Sequence, residues 1–298
     1  MSDSRNIEEK LKRIKTLHSG MPTENIKKII NDPSKRELDL SHCKLNNSSL
    51  AVTIHLAEIL SLLPHVTTVN LSSNHIHTWD LAMKNLWIDA LKNAPHIIQL
   101  EMHWQDVCLP TEKNNGQSLV ERLPEAPGIH ALKMNGKPNP QWRKDEINLF
   151  MQDLQKANTI HTLTLDHCDM SEWGSEKIKA FAEGLKSGSS ITTLNMVDCK
   201  MGQWKKADWE VFLHCLQSSG INEVNFENNE LNNEQQKMIQ QYLIDKPRTT
   251  IMSELTNRPT TMLARAKARF FPDKVKENIP KDVIESIVIP YHTPKIKM

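Results

Sequence analysis

The sequence contains little of several residues on which common classes of protein depend. Only 9 of its 298 residues are glycine, which argues against an enzyme that holds phosphate groups in glycine-rich loops. Its five cysteines are an odd number without close pairing motifs, and this indicates a reducing compartment rather than a disulfide framework. No apolar run approaches the roughly 20 residues that a helix needs to cross a bilayer.

The chain also lacks an excess of positive or of negative charge. The chain has 37 Lys and Arg against 36 Asp and Glu, a formal net charge of +1, and this weakens any case for nucleic-acid binding by the whole protein. The first ten residues, MSDSRNIEEK, lack the apolar segment of a secretory signal. We therefore expect a cytoplasmic protein with no nucleic-acid partner and no stable membrane insertion.

The short motifs of common catalytic sites are absent too. The sequence has no GxxxxGK[ST], no GxSxG and no HExxH. Residues 166–169, DHCD, suggest zinc ligands at first sight, but successive strand residues point to opposite sides and cannot converge on one ion. A catalytic pair of His167 and Asp198 would have no activated nucleophile beside it. We predict no enzymatic activity, no cofactor and no metal site.

What the sequence does contain is an internal repeat. Seven short segments follow the pattern LxLxxNxL, with apolar residues at the first and third positions. The segments begin at Leu38, Val69, Leu100, Leu132, Leu163, Leu194 and Val224. These positions are 30 to 32 residues apart. Repeats of this length are typical of a solenoid, because one unit cannot bury an apolar face alone.

A helical pattern follows the segments. Ile147, Phe150 and Leu154 are spaced as one face of a helix. The same spacing recurs one repeat later from Ile178 and two repeats later from Trp209. Each unit is therefore predicted to be a short strand, a turn and a helix.

This arrangement resembles the leucine-rich repeat family, and within it the ribonuclease-inhibitor-like subtype, over about residues 35–244. The resemblance implies an α/β solenoid, in which a parallel β-sheet lines the concave side of a horseshoe and helices cover the convex side. Seven repeats of about 31 residues stack in register. We predict a helical N-terminal cap at 1–34, the repeats at 35–247 and a basic C-terminal tail or cap at 248–298.

The family usually places asparagine after the second strand leucine, where its side chain bonds the backbone of neighbouring repeats. We call this the ladder position, and here it holds Cys43, Asn74, Gln105, Lys137, Cys168, Cys199 and Asn229. Four tryptophans lie five residues after a ladder position and are expected to pack at the start of the helices: Trp79, Trp142, Trp173 and Trp204. Most cysteines and tryptophans are thereby interpreted as structural.

The residues beside the strand leucines are expected to face the concave side or its rim. They include seven acids and one lysine, and charges on a concave wall attract a partner of opposite charge. Trp104 is interpreted as an exposed interface anchor, with packing under the following loop as the alternative. A merely solvated polar face is the alternative for the acids. The predicted partner-binding residues are Glu37, Asp39, Glu101, His103, Trp104, Asp166, His167, Asp198, Glu223 and Glu227.

The tail from Arg248 to Met298 has ten Lys and Arg against five Asp and Glu. It is interpreted as a cap. The alternative is a basic amphipathic segment that docks to a partner or an anionic membrane.

These features together predict a monomeric, non-enzymatic scaffold whose concave face binds a basic protein surface. The long repeats, rich in Lys, Asn and Ile, resemble leucine-rich-repeat effectors that intracellular bacteria inject into host cells. That resemblance implies translocation into a host cytosol. The alternative function is regulation of an enzyme, for instance as a GTPase-activating or inhibitory module.

Overall fold

A computed structural model of the chain contains one parallel sheet with helices between successive strands. This architecture follows from the alternation of strand and helix patterns along the sequence. The structure describes residues 2–19, 21, 23–107, 118–136, 143–187, 190–246 and 250–252. The strands in these ranges are β1 (Glu37–Asp39), β2 (Thr68–Asn70), β3 (Gln99–His103), β4 (Ala131–Asn135), β5 (Thr162–Thr164), β6 (Thr193–Asn195), β7 (Glu223–Asn225) and β8 (Thr250–Met252). The helices are α1 (Ser2–Leu17), α2 (Thr23–Asn31), α3 (Leu50–Ser61), α4 (Leu81–Lys92), α5 (Trp104–Val107), α6 (Lys144–Lys156), α7 (Ser175–Lys186), α8 (Lys206–Gln217) and α9 (Asn233–Asp245).

The strands are arranged in the sheet in the same order as in the chain, and each pair is parallel. The repeat motif sets the register, since Leu38 pairs with Val69 and Leu163 pairs with Leu194. All seven predicted repeats are present and in phase. An eighth strand, β8, pairs with β7 through Ile251 and Val224. This strand lies beyond residue 247, where the repeats are predicted to end, and it follows β7 at a shorter spacing than the repeats have.

The core lies between the sheet and the helices. On β4, Leu132 and Met134 are fully buried, and on α6 the predicted face of Ile147, Phe150 and Leu154 is buried as well. Burial of each such side chain contributes about 1.5–3 kcal/mol. The apolar periodicity therefore forms the strands, the helices and the packing between them.

The ladder position points inward as expected. The Nδ2 of Asn229 donates to the carbonyl oxygens of Met196 at 2.6 Å and Phe226 at 3.0 Å, and its Oδ1 accepts from the N–H of Cys199 at 2.9 Å. The thiol of Cys199 donates to the carbonyl oxygen of Leu165 at 2.9 Å. Cys43, Cys168 and Cys199 are buried free thiols, in agreement with the prediction.

The third repeat departs from the predicted ladder. Asp106, rather than Gln105, supplies the buried acceptor, taking hydrogen bonds from the N–H groups of Ser73 at 2.9 Å, Ile76 at 3.2 Å and His103 at 3.1 Å. Helix α5 follows β3 directly and replaces the turn of the other repeats. Asp106 thus makes ladder contacts in this repeat, one residue after the predicted position, and the side chain of Gln105 lies outside the described residues.

The tryptophans at the helix starts are buried, as predicted, at Trp79, Trp173 and Trp204. They contact rings of their own repeats. Trp79 stacks on Trp87 with centroids 5.9 Å apart, and Trp173 lies edge-on to Phe181 at 5.7 Å.

The N-terminal segment forms two helices, α1 and α2. Ile7, Leu11 and Ile14 bury one face of α1, whereas Leu17 at the helix end is 50% exposed. An ion pair joins Lys10 to Glu58 of α3.

Several predictions lie outside the described residues. These are the ladder role of Lys137, the packing of Trp142, and all proposals for the tail beyond residue 252.

Candidate functional site

One face of the sheet carries the side chains that alternate with the buried leucines, and we call it the concave face. The parallel register aligns these side chains in rows that run across the strands, one residue from each repeat. The first row from β1 to β7 is Glu37, Thr68, Gln99, Ala131, Thr162, Thr193 and Glu223. The face is therefore polar, with acids at both ends of this row.

At the N-terminal end of the face, Glu37 and Asp39 are both exposed on β1. The Oδ1 of Asp39 accepts the N–H of Ser41 at 2.9 Å. Asn70 and Asn225 occupy the same strand position and bind the N–H two residues later in the same way. This bond turns the chain at the strand end and occupies the Oδ1 of the Asp39 carboxylate.

In the middle of the face, Glu101 is only 6% exposed. Its carboxylate accepts hydrogen bonds from Lys133 at 3.2 Å and from Asn135 at 2.6 Å. Asn135 also accepts the hydroxyl of Ser72 at 3.1 Å. The expectation that Glu101 is an open partner-binding acid is wrong, since a lysine of the next repeat neutralises it. The register pairs Glu101 with Lys133, so their matching positions in the motif were the signal in the sequence.

His103 is half-buried at the end of β3. Burial lowers its pKa, nearby Asp106 opposes that shift, and the charge of His42 adds to it. Gly136 lies against its ring. The φ of Gly136 is +79°, and a Cβ there would come within 2.0 Å of the His103 Nε2, so this rim position requires glycine.

Trp104 is fully buried and is not an exposed anchor. Its Nε1 donates to the Sγ of Cys168 at 2.7 Å, and its ring packs edge-on against Phe150 at 5.5 Å and Trp173 at 6.4 Å. Residues at the same rim position in five other repeats have φ between 53° and 59°. Trp104 instead begins α5, which turns its side chain into the core.

The C-terminal part of the face is acidic. His167 and Asp198 form a hydrogen bond of 2.8 Å on the rim, with side chains 73% and 48% exposed. The Oδ1 of Asp166 accepts the N–H of Val197 at 3.2 Å. Glu223 is exposed and accepts the hydroxyl of Thr193 at 3.1 Å, while Glu227 is half-buried.

The structure therefore separates the predicted acids into two groups. Glu37 and Asp39 lie on β1, and four others lie on or after β5–β7, whereas the middle strands are neutral. Among the described residues, six acids have no lysine partner on this face: Glu37, Asp39, Asp166, Asp198, Glu223 and Glu227.

Within the described ranges, no three His, Cys, Asp or Glu side chains are placed to hold one metal ion. The same ranges contain no helix that is long and apolar enough to span a bilayer.

Comparison with known proteins identifies the fold. No family model matches the chain, and no curated protein matches its sequence. Among solved structures, it is similar to the leucine-rich repeat-containing protein LegL7 from Legionella pneumophila, with a TM-score of 0.53 and 17% sequence identity. The match covers 76% of this chain and 68% of that chain. The chain thus has the leucine-rich-repeat fold.

Proposed function

We propose that this leucine-rich-repeat chain is a non-enzymatic scaffold that binds a basic protein surface on its concave face. The observation that carries the proposal is the set of six acids there, which have no lysine partner on that face within the described part of the chain, while Glu101 is neutralised by Lys133. Such charges raise the rate of encounter with a partner of opposite charge.

The acids at both ends of the concave face support an elongated partner. Strands in a sheet are about 4.8 Å apart, so β1 and β7 are separated by roughly 29 Å along the sheet. A basic partner that contacts both Glu37 and Glu223 must span most of the array. Between these ends, the same row presents the uncharged residues Thr68, Gln99, Ala131, Thr162 and Thr193.

The test is a charge reversal on each side of the molecule. Glu37→Lys with Glu223→Lys changes the concave face, and Glu176→Lys with Glu210→Lys makes the same change on exposed positions of α7 and α8. A basic host protein recovered from cell lysate by the parent should be lost with the first pair and kept with the second. With the purified partner, the first pair should slow association, and raised salt should weaken the parent complex, because the Debye length falls from about 10 Å at 0.1 M to about 3 Å at 1 M.

The following results would contradict the proposal. If both charge-reversed proteins bind like the parent and removal of residues 253–298 abolishes binding, the tail carries the interaction and the proposal is wrong. Circular dichroism of every variant checks that the fold is retained.

We infer further that the chain acts as a bacterial effector inside a host cell. Its structural likeness to a leucine-rich-repeat protein of Legionella pneumophila supports this origin. A fusion to a reporter that responds only in host cytosol, expressed in the source bacterium during infection, should give a signal that depends on the secretion system. A signal confined to the bacterium would contradict the inference.

A further inference from the structure

Two exposed histidines lie side by side where β4 and β5 begin. His130 directly precedes β4 and His161 directly precedes β5, at the same position of consecutive repeats. The N–H of His161 donates to the carbonyl oxygen of His130 at 2.8 Å, so the backbone holds the two side chains together. Their rings are stacked, with centroids 5.9 Å apart and planes 14° from parallel.

One nitrogen of each ring is anchored to the backbone of the following repeat. The Nδ1 of His130 lies 3.4 Å from the carbonyl oxygen of Thr159, and the Nδ1 of His161 lies 3.1 Å from that of Ser190. Because a carbonyl oxygen can only accept a hydrogen bond, the proton of each neutral ring is on Nδ1. Each Nε2 therefore carries a lone pair, on a side chain that is exposed.

The hydrogen bond of each Nδ1 to a carbonyl oxygen is a feature that the pair shares with histidines that bind metals. A ligating imidazole donates its other N–H to a carbonyl or carboxylate, which sets the tautomer and makes the free nitrogen more basic. We propose that His130 and His161 form a two-histidine site for a divalent transition-metal ion of the class that prefers imidazole, with Zn²⁺ and Cu²⁺ as its representatives. Neither residue belongs to the acidic concave groups, so the site is independent of the proposed function.

The site closes when both rings rotate. An ion lies in the plane of each imidazole that ligates it, and Zn–N bonds of about 2.0–2.1 Å in a tetrahedral site place two ligand nitrogens roughly 3.3 Å apart. The stacked rings have nearly parallel lone pairs, so each ring must turn toward the other about its side-chain torsions before one ion can bind both Nε2 atoms. The flanking residues of the same row, Ile98 and Thr192, carry no charge. Water completes the coordination of the ion.

The affinity for Zn²⁺ is measured in the full-length protein by competition with a chromophoric chelator. His130→Ala and His161→Ala are compared with His214→Ala, which removes an exposed histidine of α8. The loss of an outer-shell partner weakens metal binding about 10- to 100-fold, and the loss of a ligand should weaken it at least as much. His214→Ala should bind like the parent. Zn²⁺ should raise the melting temperature of the parent and of His214→Ala only.

Spectroscopy tests the geometry separately from stability. In the metal-free protein, ¹⁵N NMR of the neutral rings should show both protonated on Nδ1. Electron paramagnetic resonance with Cu²⁺ should show two nitrogen ligands in the parent and one in each single variant. A proton on Nε2 of either ring, or Zn²⁺ affinity that is unchanged in both single variants, would overturn the site.

Discussion

Trp104 shows how the backbone conformation of one residue decides which side of a sheet its side chain occupies. The residues at its position in other repeats, such as Ser73 and Asp198, have positive φ and lie on the rim. Trp104 is helical, and its indole fills the core between the third and fifth repeats, against Cys168 and Phe150. A large aromatic residue at this position therefore stabilises the array.

Replacing Trp104 with alanine should lower the free energy of unfolding by about 3–5 kcal/mol, as truncation of a buried aromatic side chain does. Trp104→Phe loses the N–H donor to Cys168 but keeps the ring contacts, and it should cost less. Urea unfolding measures both. A Trp104→Ala protein as stable as the parent but unable to bind a concave-face partner would contradict the buried position.

At the scale of elements, α5 changes the connection between β3 and the rest of its repeat. Four residues of helix take the place of the turn seen in the other repeats, and the ladder shifts by one residue to Asp106. This carboxylate is 3% exposed and binds three backbone N–H groups from two repeats. It therefore joins the second repeat to the third.

Asp106→Ala would leave the N–H groups of Ser73, Ile76 and His103 without this acceptor. Each unsatisfied buried polar group costs about 1–3 kcal/mol, so the free energy of unfolding should fall by about 3 kcal/mol or more. Asp106→Asn keeps one acceptor oxygen but turns an amide N–H₂ toward the N–H groups that the other carboxylate oxygen binds, so it should cost less than Asp106→Ala but should not restore the full stability. Equal destabilisation by the two variants would show that shape rather than hydrogen bonding matters there.

At the scale of the whole array, each repeat depends on its neighbours. His96 donates from the third repeat to the carbonyl oxygen of Leu60, near the end of α3, at 3.2 Å. Beyond the last complete repeat, Lys246 donates to Leu216 at 2.7 Å and to Ile221 at 2.8 Å. The free energy of unfolding of such a chain is approximately the sum of the stability of each repeat and of the contacts between neighbouring repeats. Terminal repeats therefore open at the lowest free-energy cost.

The labelling rates of the ladder thiols can measure how readily each repeat opens. Burial raises the pKa of Cys43 and Cys168 to about 12 and also raises the pKa of Cys199. The reactive thiolate is therefore scarce in the folded protein at every pH below that range, and labelling requires opening. Cys43, in the first repeat, should label faster than Cys168 and Cys199, and all three should label far more slowly than in denaturant.

Peptide mapping after timed alkylation measures these rates, and the denatured chain should show all five cysteines as free thiols. Rapid native labelling of Cys168 and Cys199 would mean that the ladder is open. Two missing thiols in denaturant would reveal a disulfide and contradict the ladder assignment.

The sequence by itself determined the repeat, its strand and helix alternation, the inward cysteines and the rows of the concave face. These follow from local periodicity, because apolar residues spaced for a strand or a helix can be buried on only one side. The expected acids Glu37, Asp39 and Glu223 lie on that face for the same reason. Their role in binding a partner stays a prediction.

Only the tertiary structure decided which residues of different repeats meet. The neutralisation of Glu101 by Lys133, the contact of Trp104 with Cys168 and the stacking of His130 on His161 all join residues about one repeat or more apart in the chain. Each depends on the backbone conformation at the end of a strand and on the exact register between strands. Trp104 has helical backbone angles where the equivalent residues of other repeats are left-handed, and its side chain therefore lies in the core and not on the rim. Neither composition nor periodicity predicts which backbone conformation a residue adopts at this position.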